Sequence, residues 1–405
     1  RRAGSAGAGA GPARRRRPPS PRRGRKRRRS RCGSKGGACG GGGEATLEDG
    51  RTPPGPLLCL GIRIVLQVPE IALTVALAAG LSAAAATAIT CAGAGALRSA
   101  LRTLPDLLPP PSLLVVGEAN TGNFALRCAD PRSGEWEELP CRPCGSSGLY
   151  SGGAAAVLDG RIYVAGGRCL FDGTVDRVDC FEPAALQWSS CPPMHTARSN
   201  GAAAGCEGRL YVFGGLNEAE GGEWELDEAE RYDPATGRWE ALPRLLGPQS
   251  FWGGAAVAAR GMIYVLGGAN EETVRCFDRY DPQAHSWTAL EPLRRPLAGR
   301  ALVAVAGRLF AFGGSAPPDE PVKAAEAFDL ETGRWEDLAP LPTARRSAAV
   351  AVSSGRLYVL GGAGDFRRAF AEGPVEALDV RTGAWEALPA LPLYMTQGVA
   401  MALAS

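Results

Sequence analysis

The chain has 405 residues and a formal net charge of +3, but its charge is distributed unevenly. Residues 1–56 carry sixteen Arg and Lys against three acidic residues, residues 57–112 have a net charge of +1, and residues 113–405 have a net charge of −11. This length accommodates one large domain with extensions. The twelve cysteines recur at no regular position, which excludes a disulfide framework built into each repeat and favours a reducing compartment, the cytoplasm.

Residues 1–56 form an Arg, Gly, Ser and Pro-rich tail that we expect to be disordered, because it has almost no apolar residues with which to build a core. Its densest basic run is Arg22–Arg31. This run is consistent with a solvated basic tail, with a nuclear-import signal, or with nonspecific contact to phosphates. It has no interleaved aromatic residues for base stacking, so we expect no specific nucleic-acid partner.

Residues 57–112 are apolar and rich in alanine, and we expect a linker or a helix. The stretch Ile71–Leu97 contains no charge and is long enough to span a bilayer. Alanine and glycine contribute little transfer free energy, however, and Arg63, Pro69 and Glu70 interrupt the more apolar half. A membrane anchor is therefore an alternative that we do not favour. The proline-rich segment Leu104–Ser112 marks the domain boundary.

The rest of the chain is built from a repeat of about 50 residues, best seen in Gly208–Pro243. An alternating apolar strand, GRLYVFGG, runs into a pair of glycines, and a second strand ends at an aromatic residue before Asp-Pro. Glycine pairs begin at positions 166, 214, 267, 313 and 361, and a tryptophan follows each pair by about twenty residues. Such a period, with four short strands in each repeat, predicts a β-propeller.

The double glycine, the aromatic residue before Asp-Pro, the spaced tryptophan and the following Leu-Pro resemble the Kelch repeat. The resemblance covers residues 113–404 and implies an all-β Kelch propeller. We interpret the glycines, the tryptophans and the Asp-Pro-x-x-Gly turns as architectural.

The two ends of residues 113–405 predict how the propeller closes. The first repeat begins at Leu113, in what is the second strand of every other repeat. The chain then ends with Gly398–Ala402, which has the pattern of a first strand with nothing after it. If this C-terminal strand completes the N-terminal blade, six blades result and the exposed sheet edges disappear.

Two sets of loops are expected to converge on one rim of the ring, and we predict a partner-binding surface there. The first set precedes each innermost strand and contains Tyr150, Arg198, Ser199, Asn200, Phe251, Trp252, Arg300, Arg345, Arg346 and Gln397. The second set follows the glycines and contains Arg168, Asn217, Asn270 and Arg367. Several arginines on one rim could pair with the carboxylates of an acidic peptide. The alternative is that these are ordinary solvated loop residues.

The acidic insert Glu218–Glu230 carries seven acids around Trp224, and it reads either as a solvated loop or as a site for a basic partner. The only histidines, His195 and His285, occupy different positions in their repeats. Cys141 and Cys144 form a single CxxC with no second pair at metal spacing. We therefore predict no metal, no cofactor and no catalytic residue.

The leading hypothesis is a noncatalytic interaction module whose rim captures a protein or peptide. The repeats look most like those of BTB–Kelch proteins, which commonly act as substrate receptors of cullin ubiquitin ligases. The 405 residues contain no BTB domain and begin with arginine, so we expect the sequence to be part of a longer product. The alternatives are an actin-binding or cytoskeletal scaffold and a membrane-anchored propeller.

Overall fold

The computed structural model describes residues 111–403, apart from 120–121, 144–149, 170–172, 220–221, 248–255, 269–273, 317–319 and 365–371. The described residues form strands, turns and connections, with no helix among them, and so none long and apolar enough to cross a membrane. The basic run Arg22–Arg31 and the apolar stretch Ile71–Leu97 lie outside the described residues.

The strands form six antiparallel four-stranded sheets arranged as the blades of a propeller. From the innermost strand outward, they are Met395–Leu403, Ser112–Ala119, Gly122–Cys128 and Trp136–Leu139 in blade 1; Ala154–Leu158, Arg161–Ala165, Val178–Glu182 and Gln187–Cys191 in blade 2; Ala202–Cys206, Arg209–Phe213, Ala229–Asp233 and Arg238–Leu242 in blade 3; Ala256–Ala259, Met262–Leu266, Phe277–Asp281 and Ser286–Ala289 in blade 4; Ala301–Val305, Arg308–Phe312, Ala325–Asp329 and Arg334–Asp337 in blade 5; and Ala349–Ser353, Arg356–Leu360, Gly373–Asp379 and Trp385–Leu391 in blade 6.

The C-terminal strand closes the ring, as the sequence predicts. Met395–Leu403 pairs antiparallel with Ser112–Ala119, from Ser112 opposite Leu403 to Gly117 opposite Gly398. It then packs against the innermost strands of blades 2 and 6. The prediction of a six-bladed propeller latched by the end of the chain is confirmed.

Each blade buries both of its faces, which explains why the second strands have runs of consecutive apolar residues. In blade 3, Leu210 and Val212 pack with residues of blade 2, including Tyr163. Tyr211 and Phe213 point the other way and pack with residues of blade 4. Alternate side chains of a strand point to opposite faces, so one such strand contributes to two inter-blade cores.

The recurring tryptophans connect consecutive blades. The indole nitrogens of Trp188, Trp239 and Trp287 donate hydrogen bonds of 2.7–3.0 Å to the carbonyl of the proline that follows the outer strand of the preceding blade. The Trp385 indole donates to the Ala339 carbonyl at 2.9 Å in the same way. Each of these four tryptophans thus satisfies its polar atom while its ring packs between blades.

Short additional strands lie on one rim of the ring. Tyr150–Ser151, Arg168–Cys169 and Gly173–Thr174 form a three-stranded sheet at blade 2. Leu216–Ala219 pairs with Gly222–Glu225 at blade 3, and Ser315–Ala316 pairs with Glu320–Pro321 at blade 5. These elements belong to the loops in which the sequence places a binding surface.

Candidate partner-binding rim

The two predicted loop sets lie side by side on one rim and are joined by backbone hydrogen bonds. Residues before an innermost strand pair with residues after the double glycine: Ser199 with Leu216, Ala298 with Ser315, and Arg346 with Ala363. At blade 2, Tyr150 pairs with Cys169 in the same manner. Backbone hydrogen bonds therefore hold the two loop sets together, without the need for side-chain contacts.

Three of the predicted rim arginines are not available to a partner. Arg198, Arg300 and Arg345 are at most 1% exposed and rank among the largest fully buried side chains. Arg346 is also buried, at 8%. The expectation that these guanidinium groups bind the carboxylates of an acidic peptide is thus corrected, because they point into the blades and not toward solvent.

Each of the three arginines forms an ion pair with a glutamate in the third strand of its own blade. Arg198 Nη2 lies 2.6 Å from Glu230 Oε1, and Arg345 Nη2 lies 2.7 Å from Glu376 Oε2. Arg300 pairs with Glu326. Burial lowers the pKa of all three guanidinium groups, and the partner carboxylate opposes that shift. A buried charge of this kind needs both its ion pair and its hydrogen bonds.

The arginine loops also bind the double glycine of the preceding blade. The second glycine donates to the carbonyl of the arginine: Gly167 to Arg198, and Gly314 to Arg345, both at 2.9 Å. A Cβ on the preceding residue, Gly166, would lie 2.1 Å from the Arg198 carbonyl oxygen, which no side chain can occupy. The double glycines are therefore needed because the arginine loop of the next blade lies directly against them.

Blade 2 has the same ion pair with an arginine that the sequence analysis missed. Arg142 comes from the connection between blades 1 and 2 rather than from the residue before the innermost strand. Its Nε lies 2.7 Å from Asp179 Oδ2, and its Nη1 donates to the Gly166 carbonyl at 3.1 Å. The acid at the repeated third-strand position is the sequence signal for this pair, since Asp179 aligns with Glu230 and Glu376.

Blade 1 replaces the ion pair with two apolar residues. Met395 stands at the arginine position and Leu126 at the acid position, by the register of their strands. Both are buried in one core cluster. Blade 1 therefore has apolar side chains at the place where blades 2, 3, 5 and 6 have a buried ion pair.

Comparisons with known proteins agree with the repeat. A family model described as the KLHDC2/KLHL20/DRC7 Kelch-repeats domain matches residues 113–301, and the Kelch motif model matches residues 296–342. The ring is a Kelch-repeat propeller. Kelch propellers are generally protein-interaction modules.

The Kelch propeller is similar to two curated Kelch-like proteins. It is 29% identical over 194 residues to mouse Kelch-like protein 35, covering 46% of this chain and 31% of that protein. It is 32% identical over 148 residues to human Kelch-like protein 33, covering 36% of this chain and 26% of that protein. The chain thus spans less than a third of the length of these relatives, and no BTB domain is detected in it.

Among solved structures, that of YjhT superimposes on the chain with a TM-score of 0.47 at 20% identity, covering 56% of this chain and 75% of that one.

The remaining predicted residues of the Kelch rim divide into three groups. Arg168 is exposed and lies 2.7 Å from Glu218 Oε1, Ser199 is buried, and Asn200 and Gln397 are half-buried. Asn217 lies opposite Trp224 in the blade 3 hairpin. Phe251, Trp252, Asn270 and Arg367 lie outside the described residues, and Tyr150 is described through its backbone pairing alone.

A channel of about 390 Å³ runs along the axis of the Kelch propeller and is lined mainly by Ala and Val of the innermost strands. Glu118 lies at its rim end and replaces the second glycine of the repeat. Its carboxylate accepts hydrogen bonds from the Gly152 and Gly153 amides at 3.0 and 3.2 Å. Burial raises the pKa of Glu118 to about 7. This group, absent from the predicted set, is the titratable connection between blades 1 and 2.

Proposed function

We propose that this Kelch propeller is a noncatalytic interaction module that captures a protein or peptide partner on the rim formed by the two loop sets. The observation that carries the proposal is the backbone pairing between those loops at blades 2, 3, 5 and 6. It supports an ordered surface at these four blades, on top of a rigid ring. The buried arginines stabilise this surface from beneath.

We further propose that the captured partner is presented to a cullin ubiquitin ligase. The resemblance to BTB–Kelch proteins and the similarity to two Kelch-like proteins support this role. A BTB domain, in the same product or in an associated one, would supply the ligase contact. The seven described cysteines form no disulfide, which fits action in the reducing cytoplasm.

Affinity capture from cells, followed by mass spectrometry, tests the proposal. The bait is the full chain, compared with a rim variant that combines Arg168→Ala, Asn217→Ala and Gln397→Ala. A matched control combines Gln283→Ala, Glu331→Ala and Arg381→Ala, exposed positions in the turns between third and fourth strands. We expect the rim variant to lose specific partners and the control variant to keep them.

The identity of the captured proteins decides between the hypotheses. Recovery of a cullin with the wild-type chain supports the ligase role. Filamentous actin as the specific partner, confirmed by cosedimentation, supports the scaffold role instead. Equal capture by wild type and rim variant contradicts a binding function for this rim.

A further inference from the structure

The rim of blade 3 carries a hairpin with an exposed aromatic side chain. Leu216–Ala219 and Gly222–Glu225 pair antiparallel, with Asn217 opposite Trp224. The Trp224 side chain is 61% exposed, and it is the only aromatic among the large apolar residues that the described part of the chain leaves exposed. Tryptophan is enriched among the residues that contribute most to binding at protein interfaces, so an exposed indole on this rim is a candidate contact.

This hairpin is an ordered part of the ring and is held from two sides. Leu216 and Ser199 exchange two backbone hydrogen bonds, at 2.7 and 2.9 Å. Glu218 reaches blade 2, where its carboxylate pairs with Arg168 and its amide donates to Thr174 Oγ1 at 3.3 Å. The hairpin therefore presents Trp224 in a defined position relative to the rim.

In the described part of the chain, the outer strand of the hairpin lies at the edge of its two-stranded sheet. Gly222–Glu225 pairs with Leu216–Ala219 on one side, and no other strand in the described ranges pairs with it. An open edge presents backbone N–H and C=O groups that an extended peptide can pair with. The edge and the indole thus lie on the same four-residue strand.

The charge of the segment determines which kind of peptide it suits. Residues 216–230 contain seven acidic residues and no Lys or Arg. In the described part of the chain, Arg168 pairs with Glu218, Arg198 with Glu230, and Arg244 with Asp227 and Glu228. The segment's own side chains therefore carry a strongly negative charge with no basic residue among them.

We propose that this hairpin binds an extended, Lys- or Arg-containing segment of a partner protein, which adds as a strand to Gly222–Glu225 and places a cation over the Trp224 indole. The proposal rests on the proposed function of the rim and specifies the chemistry of its partner. It develops the alternative of a basic partner that the sequence leaves open for this insert, whereas the expectation of an acidic peptide relied largely on arginines that are buried.

Fluorescence anisotropy with the full chain tests this proposal. The probe is a fluorescein-labelled octapeptide of alternating Lys and Val. Its counterparts carry Glu in place of Lys, or N-methyl groups on the backbone amides that would pair with the edge. We expect the Lys peptide to bind, the Glu peptide to fail, and the N-methylated peptide to bind at least tenfold more weakly.

Variants locate the site. We expect Trp224→Ala to weaken the Lys peptide at least tenfold, and Glu223→Gln with Glu225→Gln to weaken it and reduce its salt dependence. Glu137→Gln with Glu240→Gln removes two charges from exposed outer strands and should leave binding unchanged. Unchanged binding in the Trp224 variant, or equal binding of the Glu peptide, overturns the proposal. If no Lys peptide binds but the rim variant still loses its cellular partners, this inference is wrong and the proposed function stands.

Discussion

At the scale of single residues, the rim arginines connect two blades at once. The side chain of Arg345 pairs with Glu376 of its own blade, and its backbone carbonyl accepts from Gly314 of the preceding blade. Residue type and loop position in the sequence suggested that these arginines bind a partner, but their burial makes them part of the contact between blades. Their loss would alter the rim indirectly, through the position of the loops.

The buried ion pair of blade 6, Arg345 and Glu376, can be replaced by Met and Leu, the residues that blade 1 has at the same positions. We expect Arg345→Met or Glu376→Leu alone to destabilise the propeller by about 3–5 kcal/mol, because each leaves an uncompensated buried charge. The double variant should be more stable than either single variant, since Met395 and Leu126 occupy the same positions in blade 1. Urea unfolding followed by circular dichroism measures this. A double variant whose loss equals the sum of the two single losses would contradict it.

Glu118 makes stability depend on pH near neutrality. Its pKa is about 7 in the folded chain against 4.5 for the free carboxyl, so folding favours the protonated form and stability falls as pH rises from 4.5 to 7. Above pH 7 the ionised group costs at most about 3 kcal/mol. Glu118→Gln should therefore gain stability relative to wild type as pH increases.

Unfolding free energies of both proteins at pH 5, 6, 7 and 8 provide the measurement for Glu118. Parallel pH profiles for wild type and Glu118→Gln would show that the carboxyl does not titrate in this range.

At the scale of elements, the latch strand depends on close backbone contact. A Cβ at Gly398 would lie 2.9 Å from the Val116 carbonyl oxygen and 3.2 Å from Gly117 Cα. The glycine opposite, Gly117, is equally confined, because its Cβ would lie 2.5 Å from the Gln397 carbonyl oxygen. The two strands of the latch therefore approach closely where glycines face each other.

We expect Gly398→Ala to lower the unfolding free energy by about 1–3 kcal/mol, as overpacking does in other cores. Gly247→Ala is the matched control, because a Cβ there meets nothing within 4 Å, and we expect it to change stability by less than about 0.5 kcal/mol. Thermal and chemical unfolding of both variants checks this. Equal effects at the two positions would contradict the close approach.

At the scale of the whole molecule, the six blades depend on one another because each core cluster lies between neighbouring blades. One cluster contains residues of blade 1, such as Leu113, together with residues of blade 6, such as Leu360. Removing the latch would expose this cluster and the edge of Ser112–Ala119 together. A propeller of this kind should unfold as one unit.

A chain that ends at Tyr394 is expected to show a lower unfolding midpoint and concentration-dependent aggregation, because an unpaired strand edge recruits other chains. A chain ending at Leu403 keeps the complete latch strand and serves as control. Light scattering during a thermal ramp distinguishes them. A Tyr394-terminated chain that stays monomeric with an unchanged midpoint would contradict closure by this strand.

Sequence pattern by itself was sufficient for the ring, because the signals for strands, turns and blade contacts repeat locally in every copy. The glycine pairs fit only where backbones approach closely, the second strands alternate between two inter-blade cores, and the spaced tryptophans pack between blades. The first repeat lacks an innermost strand, and Gly398–Ala402 has the pattern of one. Together these two observations predicted that the C-terminal strand closes the ring. Pattern also identified the loops that meet on the rim, since loop position follows directly from strand order.

Only the tertiary structure decided which of the described rim residues are buried and which are exposed. A loop arginine reads the same in sequence whether it points outward or inward, and the choice depends on an acid about thirty residues away, as for Arg198 and Glu230. Arg142 and Glu118 were missed for the same reason, because their partners lie in other strands and blades. Whether such a charged side chain points inward depends on a partner that is distant in the sequence and is met only in the low-dielectric interior. The local sequence pattern therefore does not predict it.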